Sequence, residues 1–270
     1  MICALPAAPP VPSALGCRLH DWNVQARESL GRRRRRDGLI LDLDDTLYPR
    51  EQFVLSGLMA VARHVEETHG IPARNAFAVM EACRRDGGAG RELQALCAWF
   101  GLTPGVIQPL LEVFRNHQPT LQLPAETSAV LTALKADGWR MVVLTNGLPR
   151  VQRAKVYALG LHAFVDDVVY AEEQTPGGKP SAEAFRAALK RLALPARRCV
   201  CVGDDPVRDI AAARALGMTT VWVSTHRRPG PLGPGTHGGV PTDTDAHIEA
   251  LVDLPAALVG LKEVVDADAA

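Results

Sequence analysis

The run Leu39-Ile40-Leu41-Asp42-Leu43-Asp44-Asp45-Thr46-Leu47-Tyr48 constrains this chain more than any other segment. Its apolar first part, from Gly38 to about Leu43, reads as a buried strand. The strand runs into Asp42 and Asp44, spaced two apart, and then into a turn containing Thr46. In an open parallel sheet, ligands gather at the carboxyl ends of the strands. The turn lets both carboxylates reach one site from the strand tip. Acids packed this closely repel one another and lose hydration, and a bound cation relieves both costs. A carboxylate beside a metal can also attack phosphorus, as in enzymes that pass through an aspartyl-phosphate. Taken alone, the run is also compatible with an acidic turn after a core strand.

The rest of the chain supplies a sheet for that strand. After Pro49 the pattern turns helical. Amphipathic helices are expected over Phe53 to Thr68, Ala73 to Arg85, Gly90 to Phe100 and Thr103 to His117, with no strand up to about Pro124. In the first, Leu55, Leu58, Met59, Ala62 and Val65 recur at helical spacing. From Ser128 onward, helices alternate with strands at Trp139 to Leu144, Asp167 to Ala171, Cys199 to Val202 and Thr219 to Ser224. Such alternation implies a parallel sheet with right-handed crossovers. Arg227 to Pro241 reads as a Gly/Pro-rich loop, and Ala246 to Val265 as largely helical. The expected fold is α/β: a Rossmann-like parallel sheet core with helices on both faces, plus a small all-helical cap. The expected domains are a flexible Ala/Pro/Arg-rich tail (1–37), a core (38–49 and 124–270) and a helical cap (50–123).

Composition narrows the function. The formal net charge is zero, so nothing global points to nucleic acid or a membrane surface. Arg32 to Arg36 form a basic run, read as part of a solvated tail. No apolar stretch reaches the roughly 18 residues that span a bilayer. The basic run precedes the acids Asp42, Asp44 and Asp45 rather than an apolar segment, unlike a signal peptide. Cys3, Cys17, Cys83, Cys97, Cys199 and Cys201 show no disulfide or zinc spacing. Reduced thiols in a cytoplasmic protein, monomer or homodimer, are the expectation.

Four strand tips then carry chemistry in sequence order. They are Asp42, Asp44 and Thr46; Thr145-Asn146-Gly147; Lys179 before Pro180; and Gly203-Asp204-Asp205 with Asp209. Each alone is an ordinary turn or surface residue. Together they supply carboxylates, a hydroxyl, backbone amides and a cation, which is a set that can bind a phosphoryl group with Mg²⁺ and transfer it.

The motifs DLDDT, TN, K and GDDPVRD, in this order over residues 38 to 225, resemble those of the haloacid dehalogenase-like (HAD) hydrolase superfamily, which mostly comprises phosphatases. The resemblance implies the following roles. Asp42 is the nucleophile. Asp44 protonates the leaving alcohol and then activates water. Thr46 supports Asp44. Thr145 and the Asn146 amide hold the phosphoryl oxygens. Lys179 neutralises charge on the nucleophile and the phosphoryl group. Mg²⁺ is held by Asp42, Asp204 and the Asp44 carbonyl. Asp209 orders a metal-bound water or Lys179, and Asp205 contributes less. Dehalogenases of this superfamily lack an acid at the position of Asp44, so Asp44 implies an alcohol leaving group. Residues 50–123 contain no lysine, unlike a phosphonate-cleaving relative.

Asp42 to Pro49, and Thr145-Asn146-Gly147 followed by Gln152 and Lys155, are similar to the pyrimidine 5′-nucleotidase-like and N-acylneuraminate-9-phosphatase-like groups. Arg115, Asn116, His117 and Gln118 are candidates to face the site from the cap. The expected function is a Mg²⁺-dependent phosphatase acting on a small phosphate monoester of nucleotide or sugar phosphate type. A phosphosugar mutase and a non-catalytic phospho-ligand binding protein are the alternatives. No Gly-x-Gly-x-x-Gly follows the first strand, which disfavours a dinucleotide-binding oxidoreductase.

Overall fold

The computed structural model describes residues 37–225 and 244–267. The Arg-rich run, Cys3, Cys17 and the Gly/Pro-rich loop lie outside the described residues, as does the tail up to residue 36.

Six parallel strands form one sheet: β1 (Gly38–Leu41), β2 (Arg140–Thr145), β3 (Asp167–Tyr170), β4 (Cys199–Gly203), β5 (Thr219–Val223) and β6 (Ala246–Ile248). Their spatial order is β3-β2-β1-β4-β5-β6. The central strand β1 therefore lies between β2 and β4, with Leu41 level with Val143 on one side and Val202 on the other. The order reverses at β1, and a crevice opens there at the carboxyl ends.

The strands are apolar on both faces because both faces are covered. Leu39, Leu41, Val143 and Val202 pack on one face with Val130, Leu131 and Leu134 of the helix Ala125–Ala136 and with Val151 and Val156 of Pro149–Ala158. Ile40, Val142, Leu144, Cys199 and Cys201 alternate onto the other face, against Ala184, Phe185 and Leu192 of Ala182–Leu192. Cys199 and Cys201 do share a face, as their spacing implies, and they are free thiols.

Between β1 and β2 the chain builds a helical insert from Glu51–His69, Ala73–Arg85, Glu92–Phe100 and Ile107–Asn116. These helices gather an apolar cluster of their own, including Val54, Leu58, Val61, Ala62, Val65, Met80 and Leu96. The buried stripe of the first helix is rotated from the expected one. Leu55 and Met59 are only half-buried, because Phe53, Val54, Gly57 and Val61 take the inner positions. Gly57 is there for close packing: a Cβ would stand 2.5 Å from the Phe114 ring.

Two expectations are corrected. Ala246–Ile248 is a strand on the sheet edge, and helix begins only after it, with a 3-10 turn at Leu251–Asp253 leading into the α-helix Leu254–Ala267. Three residues, Ala-His-Ile, carry no β-rich run, and what makes them a strand is pairing to Val221–Val223. The expected helix from Asp209 begins earlier, as a wide turn over Pro206–Ala211 in which the Ile210 amide reaches the Asp205 carbonyl five residues back. Such wide turns occur often at functional sites. No described helix is long and apolar enough to cross a membrane.

Candidate active site

β1 ends at Leu41, two residues earlier than expected, and the Asp42 amide makes one last ladder bond to the Val202 carbonyl at 2.9 Å. The chain then loops. Leu47 N donates to the Leu43 carbonyl and Asp45 N to the Tyr48 carbonyl, both at 3.0 Å. Asp45 takes a left-handed φ of +60°, which aspartate tolerates better than most residues, and its carboxylate accepts from Arg50 N. Leu43, Leu47 and Tyr48 are fully buried and fix the loop to the core. This turn points the Asp42 and Asp44 carboxylates at different partners.

Asp42 faces Lys179. The Lys179 ammonium donates to Asp42 Oδ1 at 2.5 Å and to Asp209 Oδ1 at 2.6 Å, and only 4% of that lysine is exposed. Thr46 Oγ1 donates to the other Asp42 oxygen at 3.3 Å, so Thr46 supports Asp42 rather than Asp44. Carboxylate oxygens of Asp42, Asp204 and Asp209 lie within 4.8 Å of one another. Burial pushes Asp42 up to about 7, with Lys179 pulling the other way. Burial, then Asp42 and Asp209, push Asp204 up to about 9. Three carboxylates facing one lysine leave excess negative charge, and an all-oxygen donor set of this kind suits a hard divalent cation.

Asp209 belongs in that cluster, and Asp205 does not. Asp205 Oδ1 accepts from the amides of Val207 and Arg208 and caps the wide turn. That turn brings Asp209 back to the Asp205 amide at 3.2 Å and to Lys179. Gly203 makes room, since a Cβ would stand 2.4 Å from Asp209 Oδ2. Trp222 Nε1 holds the Asp204 carbonyl at 2.8 Å.

The Asp44 carboxylate stands outside the acidic cluster. Lys155 Nζ contacts both its oxygens, at 2.8 and 2.7 Å; Tyr48 Oη donates at 2.7 Å and Gln152 Nε2 at 3.0 Å. Burial alone would raise the Asp44 carboxyl, but Lys155 and the other donors outweigh it and hold it below its ordinary value. Burial likewise pulls Lys155 down, against the hold of Asp44. Thr145 lies at the end of β2, and its hydroxyl accepts from Gln152 at 2.5 Å. The Asn146 side chain pairs with the backbone of Lys179.

Sequence reasoning thus named Asp42, Thr46, Thr145, Asn146, Lys179, Asp204 and Asp209, and the fold gathers their strand tips. It gave no site role to Tyr48, Gln152 or Lys155. Their signal was the resemblance that Asp42 to Pro49 and the Gln152 and Lys155 after Thr-Asn-Gly carry, together with spacing: Gln152 and Lys155 lie three apart on one face of the helix after that tip. Arg115 and Asn116 pair with Glu112, and His117 with Phe114 and Ser56, all within the insert. Asn116, His117 and Gln118 line a cleft of about 800 Å³ with Ser56, Met59 and Arg63.

The family model for haloacid dehalogenase-like hydrolases matches residues 37–217, and the chain belongs to that family. Among curated relatives, a glyceraldehyde 3-phosphate phosphatase from Methanocaldococcus jannaschii is 36% identical over 192 residues, covering 69% of this chain and 84% of the relative. The pyrimidine 5′-nucleotidase YjjG from Escherichia coli is 31% identical over 126 residues, covering 46% of this chain and 55% of the relative. Among solved structures, the HAD-hydrolase YfnB from Bacillus subtilis superimposes with a TM-score of 0.56 at 18% identity, covering 83% of this chain and 99% of the other.

Proposed function

We propose that the protein is a Mg²⁺-dependent phosphatase that hydrolyses a small phosphate monoester through an aspartyl-phosphate on Asp42. The carrying observation is the pairing of a buried Asp42 with Lys179 beside Asp204 and Asp209. The fixed cation at one oxygen orients the carboxylate and opposes the burial that raises it, which favours the anion needed for attack. The carboxylates of Asp42 and Asp204, with Asp209 and the Asp44 carbonyl nearby in sequence, would hold Mg²⁺. The ion would neutralise phosphoryl charge that otherwise repels the nucleophile.

In the first half-reaction an Asp42 oxygen bonds to phosphorus and the ester P–O bond breaks. The negative charge of the bound ester raises the Asp44 carboxyl from its low resting value so that it takes up a proton, which it then gives to the departing alkoxide. In the second, the Asp44 carboxylate takes a proton from water, whose oxygen attacks the same phosphorus. The acyl-phosphate P–O bond then breaks, freeing Asp42 and inorganic phosphate. Lys179 offsets charge on the phosphoryl oxygens, and the Thr145 hydroxyl and Asn146 amide donate to them.

Residues 50–123 are proposed as a cap that selects the alcohol, over a core of 38–49 and 124–270. Arg150 of the core pairs with Glu112 of the insert at 2.7 Å, and the Phe53 ring of the insert covers Lys155 Nζ at 4.5 Å. The relatives are named for a triose phosphate and for pyrimidine nucleotides, which supports a small sugar phosphate or nucleotide as substrate.

The test is phosphate release from glyceraldehyde 3-phosphate, nucleoside monophosphates, other sugar phosphates and an aryl phosphate, with Mg²⁺ and with chelator. Mg²⁺-dependent release that Asp42→Asn abolishes is the expected result. No release from any ester would overturn the reading and favour phosphoryl migration within a sugar, or a binding role.

A further inference from the structure

Two side chains that have no role in the chemistry above hold Asp44, and one of them, Gln152, also ties it to Thr145. Gln152 and Lys155 lie one helical turn apart on Pro149–Ala158 and are both buried, 2% and 4% exposed. Lys155 Nζ spans the two Asp44 oxygens. Gln152 Nε2 reaches Asp44 Oδ2 at 3.0 Å and Thr145 Oγ1 at 2.5 Å. Hydrogen-bond chemistry fixes the directions. An ionised carboxylate only accepts, so the amide nitrogen of Gln152 must face Asp44. The same nitrogen donates to Thr145, so Thr145 Oγ1 is an acceptor there and its own proton points elsewhere. Its acceptor within the protein, the Asn146 carbonyl, lies at the 3.5 Å limit. The Thr145 proton is therefore available to a phosphoryl oxygen.

A buried ion pair is a poor stabiliser compared with apolar side chains of similar volume. Lys155 sits against the Phe53 ring, where an apolar residue would pack as well. The position of the pair at the acid thus argues for a functional use.

We propose that Gln152 and Lys155 are positioning residues: Lys155 aims Asp44 at the leaving oxygen, and Gln152 turns the Thr145 hydroxyl into a phosphoryl donor while fixing its distance from Asp44. This rests on the phosphatase reading given above, and the esters in the test keep the two apart.

The experiment measures kcat/KM with Mg²⁺ on an alkyl phosphate and on a nitrophenyl phosphate. This parameter covers steps through departure of the leaving group. An alkoxide needs its proton, whereas a nitrophenolate leaves without one. Lys155→Met should lower kcat/KM on the alkyl ester by about 100-fold, a general-acid-sized loss, and on the aryl ester by under about a tenth of that. Lys155→Arg should restore much of the difference. In an Asp44→Asn background, where the carboxylate charge is already gone and Lys155→Met removes the ammonium as well, Lys155→Met should cost nothing more. Gln152→Leu leaves the ion pair in place and should weaken inhibition by inorganic phosphate by about tenfold, one hydrogen bond's worth.

Equal losses on the two esters would make Lys155 structural and overturn the inference. So would an undiminished loss in the Asp44→Asn background. Unchanged phosphate inhibition in Gln152→Leu would overturn the role of Gln152 even if Lys155→Met failed to fold. No turnover of either ester by the unaltered protein would overturn the phosphatase reading as well.

Discussion

Asn146 closes a two-bond ring with the backbone of Lys179. Its Oδ1 accepts from the Lys179 amide at 2.7 Å, and its Nδ2 donates to the Lys179 carbonyl at 2.9 Å. A side-chain amide here does what a neighbouring strand would do, because the loop carrying Lys179 pairs with no strand at that point. The tip of β2 therefore sets where the lysine enters the site. Gly178 permits this closeness: a Cβ there would stand 2.5 Å from Asn146 Oδ1.

Asn146→Ala removes both bonds and should cost about 1–3 kcal/mol of stability, at roughly 0.5–1.5 kcal/mol each. Turnover should fall further than stability explains, because Lys179 loses its anchor. Asn146→Asp keeps the acceptor but sets an oxygen against the Lys179 carbonyl, and should be no better than Ala. Urea melts beside kcat on the preferred ester check this; full activity in the Ala variant would show that Lys179 is placed by other contacts.

Asp42→Asn should abolish turnover while the protein still folds, since the amide fills the same volume beside Lys179 and Thr46. Circular dichroism and phosphate release read the two halves separately. Undiminished release would remove Asp42 as the nucleophile.

Gly203→Ala pushes a methyl group into Asp209, whose carboxylate then leaves Lys179 or tilts from the acidic cluster. Overpacking of this kind costs about 1–3 kcal/mol. The Mg²⁺ concentration for half-maximal activity should rise. An unchanged Mg²⁺ titration would place Asp209 outside the metal's reach.

Stability without metal should fall as pH rises from about 4 toward alkaline values. Burial raises the folded-state values of Asp42 and Asp204 above the ordinary 3.8. Between 3.8 and the raised values the folded state holds more protons than the unfolded chain, so the slope of stability with pH from these groups is negative. Asp44 has the opposite sign: its folded value is lowered, and its contribution is lost only as pH falls below the ordinary carboxylate range. Mg²⁺ should therefore raise Tm more at pH 8 than at pH 5. Melting curves at both, with Mg²⁺ and with chelator, check the sign; an equal Mg²⁺ effect at the two pH values would argue against binding at this cluster.

Much of this was legible in the chain. The apolar runs ending in Asp42, Thr145 and Gly203 gave parallel strands and the end of the sheet at which chemistry collects, because a strand buried on both faces must be apolar and its polar tip must leave the core. Gly70, Gly101 and Gly160 marked helix ends and all take left-handed φ. Gly87 and Gly88 separated two helices of the insert. The edge strand Ala246–Ile248 was not legible, because three residues become a strand only through the ladder offered by β5.

The division within the site has a similar cause. The sequence by itself determined which groups are present and which strand tips carry them, since motif spacing follows the periods of strand and helix. Only the tertiary structure decided how they pair. Asp42 and Asp44 are two residues apart, yet one faces Lys179, 137 residues on, and the other Lys155, 111 residues on. The left-handed turn at Asp45 and the burial of Leu43, Leu47 and Tyr48 separate them. Hydrogen-bond partners far apart in sequence meet only where packing brings two elements together, and no local pattern encodes that distance.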